Sequence, residues 1–319
     1  MRVPARIIDY QRSVMTVRCE RGSVRIPLAT TMPVMTVGDW VLLDEDAGRF
    51  VRLLDRESVF QRKAAGSGLA TQLVAANIDT LFIVCSMNQD FSLNRIERYM
   101  ALGNEAGVEP VVVLSKADLC ERPEEFIQAV QALDPLLSVL AVNGLDPTSA
   151  GALIPWCGAG KTIALVGSSG VGKSTLVNTL RGDDTQGTAA VRQDDDEGRH
   201  TTTSRSMHRL AAGGLLVDTP GMRELQLTEC RDGLEITFAD IGELSLKCRF
   251  QDCQHQREPG CAVLAAIEAG DLDERRLASF RKLMREQAFN SATLAEKHDR
   301  ARRLGKMYRK AQSLKAKRS

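Results

Sequence analysis

Apolar and polar residues alternate along residues 1–62, which is the period-two pattern of half-buried β-strands. Met15, Val17 and Cys19 are separated by polar residues, and two further apolar runs follow at residues 37–43 and 49–54. Short strands in close succession are typical of small antiparallel barrels. This part of the sequence therefore predicts a barrel of the oligonucleotide-binding (OB) type.

From residue 72 onward, longer apolar runs alternate with amphipathic stretches. The apolar runs predict buried strands at residues 78–85, 110–114, 137–142, 162–166 and 215–218. The amphipathic stretches predict helices at residues 92–106 and 123–133. Apolar strands separated by helices favour a mainly parallel sheet that is covered on both faces.

A helical pattern begins near residue 230. Residues 271–274 resemble a capping box, and the helix expected behind them places Leu277, Phe280, Leu283 and Met284 on one stripe. With a linker expected at residues 63–68, the chain divides into an OB-like barrel, an α/β domain and a helical domain with a basic tail, at residues 1–65, 70–229 and 230–319.

Charge and composition indicate a location and a class of partner. Residues 281–319 contain 13 Lys and Arg against three Asp and Glu, although the net charge of the chain is only +1. A basic tail on an acidic body favours a nucleic-acid partner, while a solubilising, partly disordered tail has the same composition. No signal-like segment follows Met1 and no 18-residue apolar stretch occurs, which predicts a cytoplasmic protein without a membrane partner. We also expect a monomer.

The clearest chemical motif is a phosphate-binding loop. Residues 167–174 satisfy G-x-x-x-x-G-K-[ST] directly after the predicted strand at 162–166. Its glycines let backbone N–H groups surround phosphates, and the helix expected from Lys173 adds its N-terminal dipole. We expect Lys173 to contact the β- and γ-phosphates and Ser174 to bind Mg²⁺. The predicted P-loop residues are Gly167, Ser168, Ser169, Gly170, Val171, Gly172, Lys173, Ser174 and Thr175.

Two more segments have the chemistry of a nucleotide switch. Asp218 ends the last predicted strand and begins a D-x-x-G motif, in which its carboxylate can hold Mg²⁺ through water and the Gly221 amide can sense the γ-phosphate. Upstream of it, one hydroxyl among Thr201, Thr202 and Thr203 is expected to complete the Mg²⁺ shell. A polar loop without that role would have the same residues.

A third segment indicates guanine. Ser115-Lys116-Ala117-Asp118 follows the strand at 110–114, and the Asp118 carboxylate can accept the N1–H and N2–H₂ groups that guanine has and adenine lacks. GTPases usually have Asn at the first position, so Ser115 removes an amide able to brace the P-loop, which predicts weaker nucleotide affinity. The segment precedes the P-loop, and this order indicates a circularly permuted GTPase with its remaining base-contacting loop near residues 142–144.

A cysteine cluster indicates a metal. Three of the eight cysteines lie within 14 residues of one another around a histidine, in the pattern Cys248-x₄-Cys253-x-His255-x₅-Cys261. Three thiolates and one imidazole suit tetrahedral Zn²⁺, and a complete set of protein ligands is typical of a structural ion. A chance group of reduced cysteines is the alternative.

The permuted motifs, the predicted barrel and the segment from Cys248 to Cys261 together resemble the ribosome small-subunit-dependent GTPase A (RsgA) family over nearly the whole chain. The resemblance implies a GTP/GDP- and Mg²⁺-dependent factor in late assembly of the 30S ribosomal subunit. It also implies that the barrel and the zinc domain contact 16S rRNA, which agrees with the basic tail because phosphate contacts dominate nucleic-acid affinity.

The residues also predict a slow enzyme. Many small GTPases place Gln after D-x-x-G to orient the attacking water, but Met222 occupies that position. We therefore expect the small subunit to complete a catalytic set that includes Lys173, Gly221 and His200, although His200 also fits an ordinary loop. Alternatives are a P-loop ATPase or small-molecule kinase, an RNA-binding module with a structural nucleotide, and an assembly GTPase for another ribosomal particle.

Overall fold

Five antiparallel strands form the N-terminal part of the protein. The computed structural model describes residues 2–44, 46, 48–63, 71–182, 205–218 and 230–291. Strand β1 pairs antiparallel with both β2 and β4, β2 continues to β3, and β4 continues to β5. We call these five strands the barrel: β1 (Arg2–Tyr10), β2 (Val14–Cys19), β3 (Gly22–Pro27), β4 (Trp40–Asp44) and β5 (Arg49–Leu53).

The barrel encloses a core of its own, as the alternating pattern predicted. The apolar residues of each strand that point inward are fully or almost fully buried, and they include Ala5, Ile7, Met15, Val17, Ile26, Val41 and Leu43. After the barrel, β6 (Val59–Lys63) and β7 (Thr71–Ala76) form a separate antiparallel pair. Lys63, where the linker was expected to begin, is the last residue of β6, and the rest of that segment lies outside the described residues.

The second part of the chain forms the predicted parallel sheet. Its spatial order is β10-β9-β8-β11-β13-β12; the first five strands are parallel, and β12 runs antiparallel to β13. Beyond β12, the same sheet continues into β1 of the barrel. The strands are β8 (Thr80–Ser86), β9 (Glu109–Ser115), β10 (Ser138–Val142), β11 (Thr162–Val166), β12 (Arg205–Arg209) and β13 (Leu215–Asp218).

Helices cover both faces of this sheet. Successive residues of β8 alternate between two buried clusters: Leu81 and Ile83 belong to one, Phe82 and Val84 to the other. The described helices are α1 (Leu93–Glu105), α2 (Pro123–Gln131), α3 (Pro147–Ala150), α4 (Ile154–Cys157), α5 (Lys173–Arg181), α6 (Arg231–Thr237), α7 (Ala239–Ser245), α8 (Ala262–Ala269) and α9 (Glu274–Ser291). Each of them is too short or too polar to cross a lipid bilayer.

The C-terminal helices pack directly against α1. Cys230 Sγ lies 3.4 Å from the Ala101 carbonyl, and the Gly233 amide donates to the Glu105 carboxylate at 2.8 Å. Beside them, the buried Glu97 carboxylate accepts hydrogen bonds from the guanidinium groups of both Arg275 and Arg276. These helices are therefore joined to the α/β part by apolar packing and by a buried ion-pair network.

The expected capping box is wrong in one detail. Helix α9 begins at Glu274, and the Asp273 side chain accepts from the Arg275 amide at 2.8 Å, so Asp273 is the capping residue. The Asp271 amide instead donates to the Ala266 carbonyl, which satisfies the C-terminal end of α8. Asp271 and Asp273 are both residue types that cap helices. The structure decides between them because the Asp271 amide is used by the C-terminal end of α8.

Candidate nucleotide and metal sites

The predicted nucleotide motifs meet at one edge of the parallel sheet. Strands β10, β9, β8, β11 and β13 are adjacent and parallel, so their C-terminal residues share that edge. The P-loop follows β11, Ser115 ends β9, and Asp218 ends β13. Ligands of open α/β sheets bind beyond this edge. Folding thus brings together segments that are far apart in the sequence.

The P-loop backbone depends on glycine at two positions. Gly167 has a φ of 146°, and a Cβ atom built on it would lie only 2.2 Å from the Val84 carbonyl oxygen. Gly172 has a φ of 91° and caps the N-terminus of α5, which begins at Lys173 as predicted. Any side chain at Gly167 would push the loop away from β8. The loop is therefore seated directly on the neighbouring strand.

Lys173 is directed back over the loop that precedes it. Its Nζ atom donates to the Gly167 carbonyl oxygen at 2.8 Å and also to the Ser168 carbonyl oxygen. A phosphate group would compete with these two carbonyls for the ammonium. The geometry thus keeps the predicted phosphate-binding cation at the mouth of the loop.

Ser115 retains a brace to the P-loop, contrary to the expectation from its sequence motif. Its buried hydroxyl donates to the Val171 carbonyl oxygen at 2.6 Å, a contact between residues 56 positions apart. The hydroxyl also lies 3.4 Å from the Cys85 carbonyl oxygen. The loss of the usual Asn amide therefore does not leave the loop unsupported. The prediction that Ser115 leaves the P-loop without a brace is therefore wrong.

The segment after Ser115 turns sharply toward solvent. Lys116 has a φ of 60°, a left-handed conformation that few non-glycine residues adopt. It caps a short 3₁₀ turn, Ala117–Leu119, in which Asp118 is exposed. An exposed carboxylate on a fixed turn at the end of β9 is accessible to a nucleotide base. This placement agrees with the predicted role of Asp118.

The loop after β10 is held against the P-loop helix. The Thr179 hydroxyl of α5 donates to the Gly144 carbonyl at 2.6 Å, and Asn143 orders its own turn by accepting from the Leu145 amide at 3.0 Å. The segment at residues 142–144 therefore joins α5 at the predicted nucleotide edge.

The predicted switch residues are only partly described. Asp218 is exposed at the end of β13, as a Mg²⁺-binding carboxylate requires. The other predicted switch and catalytic positions, namely His200, Thr201, Thr202, Thr203, Gly221 and Met222, lie outside the described residues.

The four predicted metal ligands form one cluster. The ligand atoms of Cys248, Cys253, His255 and Cys261 all lie within 4.8 Å of one another. His255 Nδ1 is 3.6 Å from Cys248 Sγ and 3.4 Å from Cys261 Sγ, and those two sulfur atoms are 3.9 Å apart. Zn–S and Zn–N bonds of about 2.3 and 2.1 Å produce separations of this size in a tetrahedron. The donor set and its spacing therefore fit Zn²⁺.

Ser245 orients the histidine for metal binding. Its hydroxyl donates to the Ile241 carbonyl at 2.7 Å, which leaves its oxygen to accept from His255 Nε2 at 3.0 Å. The Nδ1 lone pair then faces the cysteines. In metal sites generally, a hydrogen bond at one ring nitrogen of a histidine orients the other nitrogen toward the metal. Burial, followed by the charge of Arg281, lowers the pKa of His255. Both effects favour the neutral imidazole, which is the form that binds a metal.

Glu258 fixes the loop that carries the cluster. Its carboxylate accepts from the backbone amides of Gln254, Gln256 and Arg257 at 2.7–3.0 Å. These hydrogen bonds, led by the one from Arg257, lower the pKa of Glu258 to about 2. His255 has a φ of 56° within this loop, so the tight turn needs such support.

Both a family model and individual proteins match the sequence of the chain. Residues 53–228, more than half of the chain, match the RsgA GTPase family. The protein called small ribosomal subunit biogenesis GTPase RsgA 2 of Vibrio parahaemolyticus is 58% identical over 314 residues, which are 98% of this chain and 87% of that protein. The chain belongs to the RsgA GTPase family. GTP hydrolysis is accordingly its enzymatic activity.

Other RsgA relatives agree over similar lengths. The small ribosomal subunit biogenesis GTPase RsgA of Mesorhizobium japonicum is 48% identical over 294 residues, covering 91% of this chain and 85% of that protein. Among solved structures, YjeQ from Thermotoga maritima matches with a TM-score of 0.66 at 23% identity, over 90% of this chain and 98% of that one.

A second solved structure bears on the order of the motifs. YloQ, described as a circularly permuted GTPase, matches with a TM-score of 0.64 at 24% identity, over 92% of this chain and 97% of that one. At these identities the likeness is one of fold. It confirms the permuted α/β architecture that the motif order predicted.

Sequence reasoning missed residues of the RsgA site that act through other residues. Ser245 and Arg6 belong to no motif, and their partners lie on other elements. Glu258 stands inside the cysteine segment, where a carboxylate among backbone amides is a recognisable signal. Ser115 was identified, but its hydrogen bond to Val171 depends on how the P-loop crosses the end of β9.

Proposed function

We propose that this chain is a GTP-hydrolysing factor in biogenesis of the small ribosomal subunit, acting as a cytoplasmic monomer that binds 16S rRNA. The observation that carries the proposal is the 58% identity, over 98% of the chain, to a protein named for that process. The shared edge of the sheet, with its P-loop and guanine segment, supplies the nucleotide site that such a factor needs.

Within that site the P-loop holds the phosphates and Asp118 selects guanine. Backbone N–H groups of residues 167–175 face the phosphates at the start of α5, and Lys173 exchanges its carbonyl partners for phosphate oxygens. Lys116 and Ser115 fix the turn that presents Asp118. Bound Mg²⁺, held by Ser174, Asp218 and one hydroxyl among Thr201, Thr202 and Thr203, would neutralise negative charge on the phosphates.

Hydrolysis in the isolated protein is slow because the usual water-orienting glutamine is replaced by Met222. Lys173 stabilises charge on the phosphates, the Gly221 amide senses the γ-phosphate, and His200 is the candidate that orients water. The small ribosomal subunit then supplies or orders the missing geometry. This makes the protein a partner-gated switch.

Zinc has a structural role in this proposal. Cys248, Cys253, His255 and Cys261 would hold one ion that ties the end of α7 to the start of α8. A complete set of four protein ligands leaves no position for a substrate. With zinc bound, the loop braced by Glu258 presents a fixed surface beside the nucleotide domain, and the barrel presents a second surface for rRNA.

A turnover assay tests the proposal. GTP hydrolysis is measured for the free protein, with small subunits and with large subunits, using Lys173→Ala as the P-loop control. We expect small subunits to accelerate turnover at least about tenfold, as partner-supplied catalytic groups do in other GTPases. Equal turnover in all three conditions would contradict partner gating, and stimulation by large subunits alone would identify another particle. In a separate competition between ATP and GTP for binding, a preference for ATP would overturn the role of Asp118.

A further inference from the structure

One strand connects the barrel to the nucleotide edge of the sheet. Ser206 of β12 is paired on one side with Asp218 of β13 and on the other side with Asp9 of β1. The three residues form one row across adjacent strands. At the usual strand spacing, Asp9 and Asp218 are therefore about 10 Å apart through Ser206.

Strand β12 is the outermost strand of the α/β part, and β1 covers its open side. It has five residues and pairs with β13 from Ser206–Asp218 to Arg209–Leu215. A short strand with one neighbour has an unpaired row of backbone groups and frays easily. Pairing of Asp9 and Tyr10 with Ser206 and Arg205 covers the end of β12 that lies nearest Asp218.

A buried arginine fixes β1 to the sheet at a second point. Arg6 is 8% exposed, and its guanidinium donates to the Thr162 hydroxyl at 2.8 Å and to the Asn77 carbonyl at 2.6 Å. Thr162 is the first residue of β11, the strand that leads to the P-loop. Strand β1 is thus attached to the sheet at two points, through its pairing with β12 and through the hydrogen bond from Arg6 to Thr162.

We propose that β1 of the barrel is a positioning element of the nucleotide site. By pairing with the side of β12 that faces away from β13, it keeps Ser206 and its partner Asp218 in register. This inference rests on the proposed Mg²⁺ role of Asp218. The barrel then contributes to hydrolysis in the free protein without touching the nucleotide.

Tyr10 offers a matched pair of variants. Successive residues of a strand direct their N–H groups to opposite sides, and the Gln11 amide donates to Val14 of the β1–β2 hairpin at 3.0 Å. The Tyr10 amide therefore faces β12. Tyr10→Pro removes this donor together with the side chain, whereas Tyr10→Ala removes the side chain alone. Asp9 is already extended, the conformation that a following proline favours.

The first measurement needs no metal or nucleotide. Hydrogen exchange is followed in the full chain over residues 205–209, with β3 as an internal reference for an intact barrel. In Tyr10→Pro, we expect exchange in β12 to be at least about fivefold faster than in Tyr10→Ala, because a backed strand opens less often. Exchange in β3 should be the same in both variants. Equal exchange in β12 would overturn the proposal.

A second measurement separates this inference from the proposed site. The Mg²⁺ concentration for half-maximal GTP hydrolysis should rise about threefold or more in Tyr10→Pro relative to Tyr10→Ala, while GDP affinity without Mg²⁺ stays within about twofold. Asp218→Asn should raise the Mg²⁺ requirement further. If Asp218→Asn raises it and the Tyr10 variants are equal, the positioning role alone fails. If Asp218→Asn leaves it unchanged, the role of Asp218 fails as well.

Discussion

At Ser115, a single hydroxyl supports the P-loop where other GTPases have an amide. The hydrogen bond to the Val171 carbonyl is short, buried and formed between distant parts of the chain. We expect Ser115→Ala to weaken GDP and GTP binding by about three- to tenfold, because a freed loop spends less time in its binding geometry and a buried hydrogen bond is worth about 0.5–1.5 kcal/mol. Titration with a fluorescent nucleotide would measure the change.

Ser86 supplies the matched control for this prediction. It is also a buried serine at the end of a strand and lies opposite Ser115 in the register of β8 and β9. Its hydroxyl, however, donates to the Asn88 side chain at 2.9 Å and not to the P-loop. Ser86→Ala should leave nucleotide affinity within about twofold. Equal losses in the two variants would mean that Ser115 acts only through general stability.

Ser245 should influence the metal without touching it. Ser245→Ala removes the acceptor that orients His255 through Nε2, and loss of such an outer partner costs about 10–100-fold in metal affinity. Competition with a zinc chelator would measure this. Ser279→Ala is the control, since this buried hydroxyl of α9 has no hydrogen-bond partner among the described residues. A similar zinc affinity in Ser245→Ala and the parent would contradict the orienting role.

At the scale of elements, the contact between α6 and α1 requires a glycine. A Cβ atom at Gly233 would lie 2.1 Å from the Ala101 carbonyl oxygen and 2.7 Å from the Glu105 amide nitrogen, both backbone atoms. The two helices must separate to admit a methyl group. We therefore expect Gly233→Ala to lower the free energy of unfolding by about 2 kcal/mol or more, as overpacking of well-packed interfaces does. Chemical denaturation would measure it.

The reference variant is Gly242→Ala on α7, the next helix. A Cβ atom at Gly242 meets nothing within 4 Å, so alanine should stabilise that helix by about 0.5–1 kcal/mol through its higher helix propensity. The same substitution is thus expected to have opposite signs on neighbouring helices. Destabilisation of equal size at both positions would show that the α1–α6 contact is not the cause.

Elements with strong local signals were predictable from the sequence. Strand β11 has the predicted bounds, and α1 is the predicted helix with Ser92 and Ala106 as its caps. Strand β12, by contrast, has the sequence Arg-Ser-Met-His-Arg, which carries no apolar alternation. It is a strand because it pairs with β1 on one side and β13 on the other. Such pairing cannot be predicted from the residues of β12 themselves.

The same distinction applies to the candidate sites. The P-loop, Asp118 and the four zinc ligands are recognisable because their residue types and spacing are fixed by the chemistry of their ligands. The supports of those residues are set by folding: Ser115 reaches Val171 across 56 positions, and Ser245, ten positions before His255, belongs to no ligand pattern. Sequence therefore predicts what a site binds more readily than what holds it in shape.

At the scale of the whole molecule, the buried cores do not follow the three expected domains one to one. The barrel has its own core, but one continuous cluster joins the parallel strands to the C-terminal helices. It includes Leu81, Val112 and Ala164 from the strands and Leu234, Ile241, Val263 and Leu277 from the helices. We therefore expect the nucleotide site and the metal cluster to share one unfolding transition.

The two tryptophans of the chain allow this to be tested, since Trp40 lies in barrel strand β4 and Trp156 in helix α4 of the α/β part. In the Trp40→Phe variant, fluorescence reports on Trp156, whose ring packs against Phe82 of β8. GDP at about 100 times its Kd should stabilise that transition by about 2.7 kcal/mol, a shift of about 5–10 °C.

Removal of zinc should destabilise the same transition that GDP stabilises, because the apolar faces of α6–α9 complete the core beneath the sheet. In the Trp156→Phe variant, Trp40 should report smaller shifts for both treatments, since the barrel has a core of its own. If chelation altered neither signal while GDP still raised the Trp156 midpoint, the metal cluster would fold independently of the nucleotide domain, and the shared core would not couple them.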